Sequence, residues 1–286
     1  MNSSNKPIIV NLEIGDQLTA ISCGHIIVEL VKFITYQRLQ IPYTYQWLKQ
    51  VVNRKRACVD EDTKDSFQSQ IHFRTVSTAL ENLDFILKSL QQEINSPSLP
   101  DEVCIALGAT PVTCKEVYRV LLPMVCHKPQ CHSTQIANDQ KIHNSVFRTL
   151  VTSEKLSHVF FNQIAPTNLY VFIKKKVLGH LDNIMNSDNF VFTSGCRIPR
   201  NCKIIVIDLR TKALDKITCC NEFNVFGDIV NDDLNNLQLE DTDENDVYHE
   251  IESNDNLKWY QSSYVMKGFK DCIVNGSSIT NSWLNS

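Results

Sequence analysis

The sequence predicts an α+β domain in which three long helices lie on one face of a mixed or mainly antiparallel sheet. Three segments, 21–42, 67–94 and 139–161, repeat apolar residues at spacings of three and four, the period of a helix with one buried face. Short apolar runs of strand length lie outside them: PIIVNLEI from Pro7, EVCIAL from Glu102, LYVFIK from Leu169 and KIIVIDL from Lys203. A hydrophobic content of 43% over 286 residues is ample for one large core.

In chain order, the run at 7–14 is a strand. A helix from about 17 to 39 follows, with Cys23, Ile27, Leu30, Val31 and Ile34 on one face, widened by Ile26 and Phe33. Pro42 stops it. Gln37 sits at the margin of the apolar stripe, beside Leu30, Phe33 and Ile34. Segment 43–56 is a short helix with Trp47, Leu48 and Val51 inward. Its end, Arg54-Lys55-Arg56, reads as a solvated helix terminus more readily than as an import patch. Segment 59–66 is a surface loop. The long helix at 67–94 carries Phe73, Val76, Leu80, Leu83, Leu87 and Leu90 and ends at Asn95-Ser96-Pro97. A strand at 102–107 and a short apolar piece at 120–125 come next.

The third helix, 139–161, turns Ile142, Val146 and Leu150 inward. At 100° per residue, Phe147 and Val151 fall roughly 100–140° from the mean of those three. Asn144, Glu154 and His158 share that outer side. An aromatic–aliphatic pair among polar residues is either a contact inside the fold or a partner patch. Further strands follow at 169–174, 190–194 and 203–209.

The totals exclude several classes. No apolar run approaches the ~20 residues of a membrane span, and the first residues lack the basic-then-apolar order of a signal peptide. The eleven cysteines form no framework, so they are expected as reduced thiols. Eight glycines, none closer together than Gly268 and Gly276, exclude GxGxxG, the P-loop and the GxSxG elbow. The net charge of −4 conceals an asymmetry: 228–256 carries eleven acidic residues and no Lys or Arg, leaving 28 basic residues against 21 acidic elsewhere. That acidic stretch reads as a flexible insert. A moderately basic body with one acidic segment is not a nucleic-acid stripe.

The chain resembles the comet protein family, the spindle-checkpoint silencers. Cys23 is followed by Glu29, Leu30, Lys32, Ile34, Tyr36-Gln37-Arg38, Gln40 and Pro42, the order of the family's first helix. The strand ending in Leu107-Gly108, a turn, and then Lys115-Glu116 and Tyr118 resemble the family's next pattern. VFRTL, with Phe147 at its central aromatic, resembles the family's docking helix. Arg197-Ile198-Pro199, Trp259-Tyr260-Gln261 and Lys267-Gly268-Phe269 follow in order. The resemblance spans 7–271 with gaps and leaves 272–286 as a C-terminal tail. It implies a HORMA-like domain and a non-enzymatic adaptor with no cofactor. Such an adaptor binds the closed conformer of the checkpoint HORMA protein, mitotic arrest deficient two, by pairing helix against helix. It hands that conformer to a pachytene-checkpoint type AAA+ ATPase and so silences the spindle assembly checkpoint. The expected location is nucleus and cytoplasm, at the spindle or kinetochore in mitosis. Gln37, Asn144, Phe147, Val151 and Glu154 are the expected partner-binding residues. Phe192-Thr193 stand where the family has a Pro-Lys pair associated with its ATPase, which puts that contact in doubt.

Other chemistry is thinner. Cys126, His127, Cys131 and His132 supply zinc-type ligands, the basis of an alternative reading as a zinc-dependent nucleic-acid-binding module. Adjacent Cys-His pairs rarely converge on one ion, and no second knuckle follows. Asp241, Asp243, Asn245 and Glu252 have calcium-loop spacing, but Asp246 occupies the position that needs glycine. Lys174-Lys175-Lys176 guards a strand end. A HORMA protein that clamps a peptide is a further alternative. No catalytic constellation can be assembled from spacing alone.

Overall fold

The computed structural model describes residues 6–12, 14, 18–57, 66–96, 99–123, 139–176, 189–195, 198–210 and 257–284. The acidic stretch, the Cys126–His132 cluster, the calcium-like spacing and Arg197 lie outside them. Among the described residues the chain is α+β, built on an eight-stranded mixed sheet. The order is β1 (Ile8–Asn11), β6 (Lys203–Asp208), β3 (Cys114–Leu121), β2 (Glu102–Gly108), β4 (Asn168–Lys176), β7 (Leu257–Ser262) and β5 (Phe190–Thr193), with β8 (Met266–Lys267) also paired to β4. The pairs β1–β6 and β6–β3 are parallel; the others are antiparallel.

Strand β2 is buried at every position, which is why EVCIAL reads as a continuous apolar run rather than an alternation. Gly108 at its end closes on the backbone of Cys114, where any side chain would collide. The Lys-Glu-x-Tyr residues and the start of the following apolar piece, through Leu121, are one strand, β3.

Helix α1 (Ala20–Gln37) starts at Thr19, whose hydroxyl accepts from Ser22 N at 3.1 Å. It stops two residues before the expected end, and Pro42 is not the cause. Leu39 adopts φ 52°, and Gln40 N and Leu39 N donate back to the carbonyls of Thr35 and Tyr36. This is a Schellman closure with leucine in the left-handed position usually held by glycine. The strained turn delivers Gln40 into the interior. Its amide nitrogen donates to Arg38 O, its Oε1 accepts from Thr167 N at 2.7 Å, and its carbonyl accepts from Phe269 N at 3.0 Å. A Cβ on Gly268 would lie 2.7 Å from Thr167 O, so only glycine fits this joint. The two ends of the family-like pattern, Gln40 and Lys267-Gly268-Phe269, therefore meet in space.

Helix α2 (Tyr45–Ala57) buries Leu48, Val51 and Val52. Lys55 is also buried, and Arg56 pairs with Glu81, so Arg54-Lys55-Arg56 is not one exposed basic patch. Helix α3 (Phe67–Ile94) has the expected bounds and is capped by Ser66. Every helical residue of a buried cluster belongs to the larger core, which also takes in Val103, Ile105, Leu107, Leu169, Val171 and Ile205 from the strands. A smaller cluster without helical residues gathers Cys104, Ala106, Cys114, Val117, Tyr170, Phe172 and Cys202.

Two expectations are corrected. The third long helix is two: α4 (Asp139–Thr152) and α5 (Glu154–Phe161), divided at Ser153, whose hydroxyl accepts from Leu156 N and starts a new helix. The segment after Asp271 is not a tail beside the domain. The pair β9 (Ile273–Val274) and β10 (Ser277–Ser278) leads into the short α6 (Ile279–Ser282), and Trp283 is 1% exposed. Its indole donates to Ser69 Oγ at 3.2 Å and packs on His72 and Phe73.

A polar knot holds this segment to α3. Asp271 accepts from Tyr43 at 2.8 Å and from Thr280 at 2.6 Å, and His72 Nε2 lies 2.9 Å from Thr280 Oγ1 and 3.4 Å from Asp271. Burial alone would raise the Asp271 carboxyl; hydrogen bonds from Ser278, Thr280 and Tyr43, with His72 nearby, outweigh it and hold the carboxyl below its usual range. Burial lowers His72, only partly offset by Asp271. Both groups are depressed in the folded state, so both contribute stability that is lost as pH falls. The His72 share should go first, below its ordinary value of 6.5, and the Asp271 share below 3.8. Melting temperature should therefore fall in two stages on acidification. In His72→Gln the first stage should flatten; melting curves of variant and parent that fall in parallel would refute this.

Candidate partner-binding surface

The end of α1 is fixed by a buried ion pair. Arg38, 1% exposed, donates from Nε and Nη2 to the Glu116 carboxylate at 2.8 and 2.9 Å. Its Nη1 reaches the carbonyls of Val159 and Phe160, and Nη2 that of Asn162 at 2.6 Å. Tyr118 donates to the same carboxylate at 3.0 Å; burial, and then that negative charge, raise its hydroxyl well above the usual value. One guanidinium thus ties α1, β3 and the last turn of α5 together, with every donor directed at an acceptor.

An aromatic cluster forms beside this pin. Phe33 of α1 meets Phe147 of α4 and Phe160 of α5 edge-on, at 5.9 and 5.8 Å between centroids. His143 lies 4.5 Å from Phe147. Next to it runs an open groove of about 350 Å³ between α1, α2 and α4, lined by Glu29, Lys32, Phe33, Tyr36, Tyr45, His143 and Phe147 among others. Burial, then the hydrogen bond to Asp84, raise the Tyr45 hydroxyl. His143 Nδ1 is buried with no hydrogen-bond partner among the described residues.

The five expected binding residues divide. Phe147 is half-buried, not projecting freely as its angular position suggested: the outer side of α4 is partly covered by α1. Gln37 is half-buried at the last position of α1, one turn beyond Phe33, and its side chain bonds to no other described residue. Asn144 is exposed and accepts from Gln140 at 3.1 Å. Val151 is 62% exposed, one turn past Phe147. Glu154 belongs to α5, beyond the break, and does not continue the α4 stripe.

The sequence reading missed His143 and Phe160 as neighbours of Phe147, and Tyr36, 39% exposed, as groove wall. His143 is one helical turn before Phe147, a signal that was available; Phe160 reaches the cluster only through the turn at Ser153. Phe192 lies on edge strand β5 and is 61% exposed, with the Lys258 ammonium 5.8 Å above its ring.

No group of three His, Cys, Asp or Glu among the described residues could hold a metal ion. No described helix is long and apolar enough to cross a membrane. No curated protein matches the chain. A family model does: p31comet, Mad1 and Cdc20-bound-Mad2 binding, matches residues 6–183. That stretch contains α1 through α5 and the strands between them, and is more than half of the chain. The chain belongs to the p31comet family of Mad2-binding proteins.

Proposed function

We propose that this chain is a HORMA-like, non-enzymatic adaptor that docks the closed conformer of Mad2 on the surface formed by α1 and α4. The observation that carries the reading is the half-buried Phe147, seated on Phe33, one turn before Gln37 on α1. An aromatic anchored from below and open above loses little freedom on binding, and such anchors dominate interface energies. Gln37 offers an amide to a partner's backbone or polar groups at the edge of that anchor. Asn144 and Val151 extend the surface along α4, and Glu154 lies at its far border.

An adaptor with differential affinity for one conformer directs downstream machinery to that conformer alone. On this reading the adaptor presents closed Mad2 to a pachytene-checkpoint type AAA+ ATPase, which remodels it and silences the checkpoint. The proposed location is nucleus and cytoplasm, with the spindle or kinetochore in mitosis. Phe192-Thr193 stand where the family has its ATPase-associated Pro-Lys pair.

Binding of the full chain to Mad2 held closed by a Cdc20 peptide tests the proposal. Phe147→Ala should weaken capture by roughly thirty- to a thousand-fold, and Gln37→Ala by about ten- to a hundred-fold. Mad2 locked open should bind neither parent nor variants. Phe147 also supports Phe33, so its truncation should cost some stability. Gln37→Ala separates the roles, since it removes no ring contact. Unchanged capture by Gln37→Ala and Phe147→Ala together, in protein that melts normally, would overturn the assignment.

A further inference from the structure

We propose that Cys114 and Cys202 are a peroxide-sensitive thiol pair that closes into an intramolecular disulfide. The pair lies in the smaller cluster, away from the α1–α4 surface. The two sulfurs are 3.8 Å apart, enclosed by Val117, Tyr170, Phe172 and Ile198. Closing to a bond of about 2.05 Å requires the sulfurs to approach by less than two ångströms. Both residues sit where backbone can give. Cys114 is the first residue of β3, directly after the turn at Pro111–Thr113 and opposite the register shift at Gly108. Cys202 lies just before β6, its N–H donating to Pro199 O across a tight turn. Parallel pairing of β3 with β6 begins only at Glu116 and Lys203, so the bond would form beyond the hydrogen-bonded ladder.

The pair also differs chemically from Cys23, a buried cysteine of the larger core. The Cys202 hydrogen bond lowers the Cys114 thiol against the opposing effect of burial, and Cys114 is assigned as the attacking sulfur. Burial alone pushes the Cys23 thiol up to about 12, which leaves that cysteine inert. At 3% and 1% exposure the pair is closed to a bulky oxidant, so the oxidant has to be a small one. Hydrogen peroxide is the oxidant proposed. The Cys114 thiolate attacks one peroxide oxygen; the S–O bond forms as the O–O bond breaks, and hydroxide leaves. The Cys202 sulfur then displaces the sulfenic hydroxyl; the S–S bond forms as the S–O bond breaks. Two thiols and one peroxide become one disulfide and two waters.

The bond would join residues 88 positions apart and enclose α4, α5, β4 and β5. A loop of that length confers a large loss of unfolded-state entropy, so oxidation should raise the melting temperature by on the order of 5–10 °C.

The test uses the full chain, reduced, freed of reductant and exposed to stoichiometric hydrogen peroxide. Remaining thiols are then alkylated under denaturing conditions and the peptides weighed. A Cys114–Cys202 cross-linked peptide, a raised melting temperature and reversal of both by dithiothreitol are expected. Cys202→Ala should abolish the rise and leave Cys114 reactive to a sulfenic-acid probe, while Cys104→Ala should leave the bond intact. Full alkylation of Cys114 and Cys202 after peroxide, a bond from either to another cysteine, or a rise that persists in Cys202→Ala would each overturn the proposal.

Discussion

Arg38→Ala should destabilise the domain by about 3–5 kcal/mol, because it strands the partner of a buried ion pair. Glu116 is 2% exposed and would be left with only Tyr118 at 3.0 Å and the Lys203 ammonium at 3.7 Å for company. Three carbonyls, of Val159, Phe160 and Asn162, would lose a donor at the same time. For a chain of this size the melting temperature should fall by roughly 10 °C. The size of the pair's own contribution is a separate question, since desolvation offsets much of the attraction. Arg38→Met with Glu116→Gln should therefore recover part of the loss, and a double-mutant cycle of the parent, Arg38→Met, Glu116→Gln and the double variant measures the coupling. A melting temperature for Arg38→Ala within about 2 °C of the parent would show that the pin is dispensable. The consequence reaches the docking surface: Arg38 holds the last turn of α5, and with it Phe160, against Phe33. Partner capture should weaken even in molecules that remain folded.

Removal of residues 272–286 should cost as much. The deletion takes out Trp283 and Ile279, both buried, and leaves Asp271 without Thr280 and Ser278. Loss of the tryptophan side chain alone is worth about 3–5 kcal/mol, from transfer and from the cavity left against Phe73 and His72. Since the truncated chain can fail to accumulate, Trp283→Ala is the informative variant. It should melt roughly 10 °C below the parent. If instead the segment were an appendage, truncated protein would melt with the parent, and thermal unfolding of both forms decides the matter.

Helix α3 was legible to the residue because its apolar period is unbroken, Ser66 precedes it and Asn95 follows it. The two-helix nature of 139–161 was not read, although its signal is present: Ser153 followed by Glu154 is a helix start lying inside a periodic stretch. Apolar positions continue across it at compatible spacing, so periodicity alone cannot see the break. The C-terminal segment fails for the opposite reason. Ile279 and Trp283 are four apart, a helical interval, but one interval is too little pattern to distinguish packing from coincidence.

The order of residues by itself determined where α1 and α3 and the central strands lie, where α3 begins and ends, and that residues 6–183 belong to one family. These follow from local period, capping and identity, which are properties of neighbours in the chain. Only the tertiary structure decided what those residues touch. Arg38 finds Glu116 across 78 positions, Gln40 finds Thr167 across 127, and His72 finds Thr280 across 208. Partners of that kind are chosen by the satisfaction of buried donors and acceptors, and no local signal encodes which distant group will supply it. The same holds for Phe147. Its angle on α4 marked it as outward, but the neighbouring helix settled how much of the ring remains for a partner, because exposure is a property of what packs alongside and not of the helix that carries the residue.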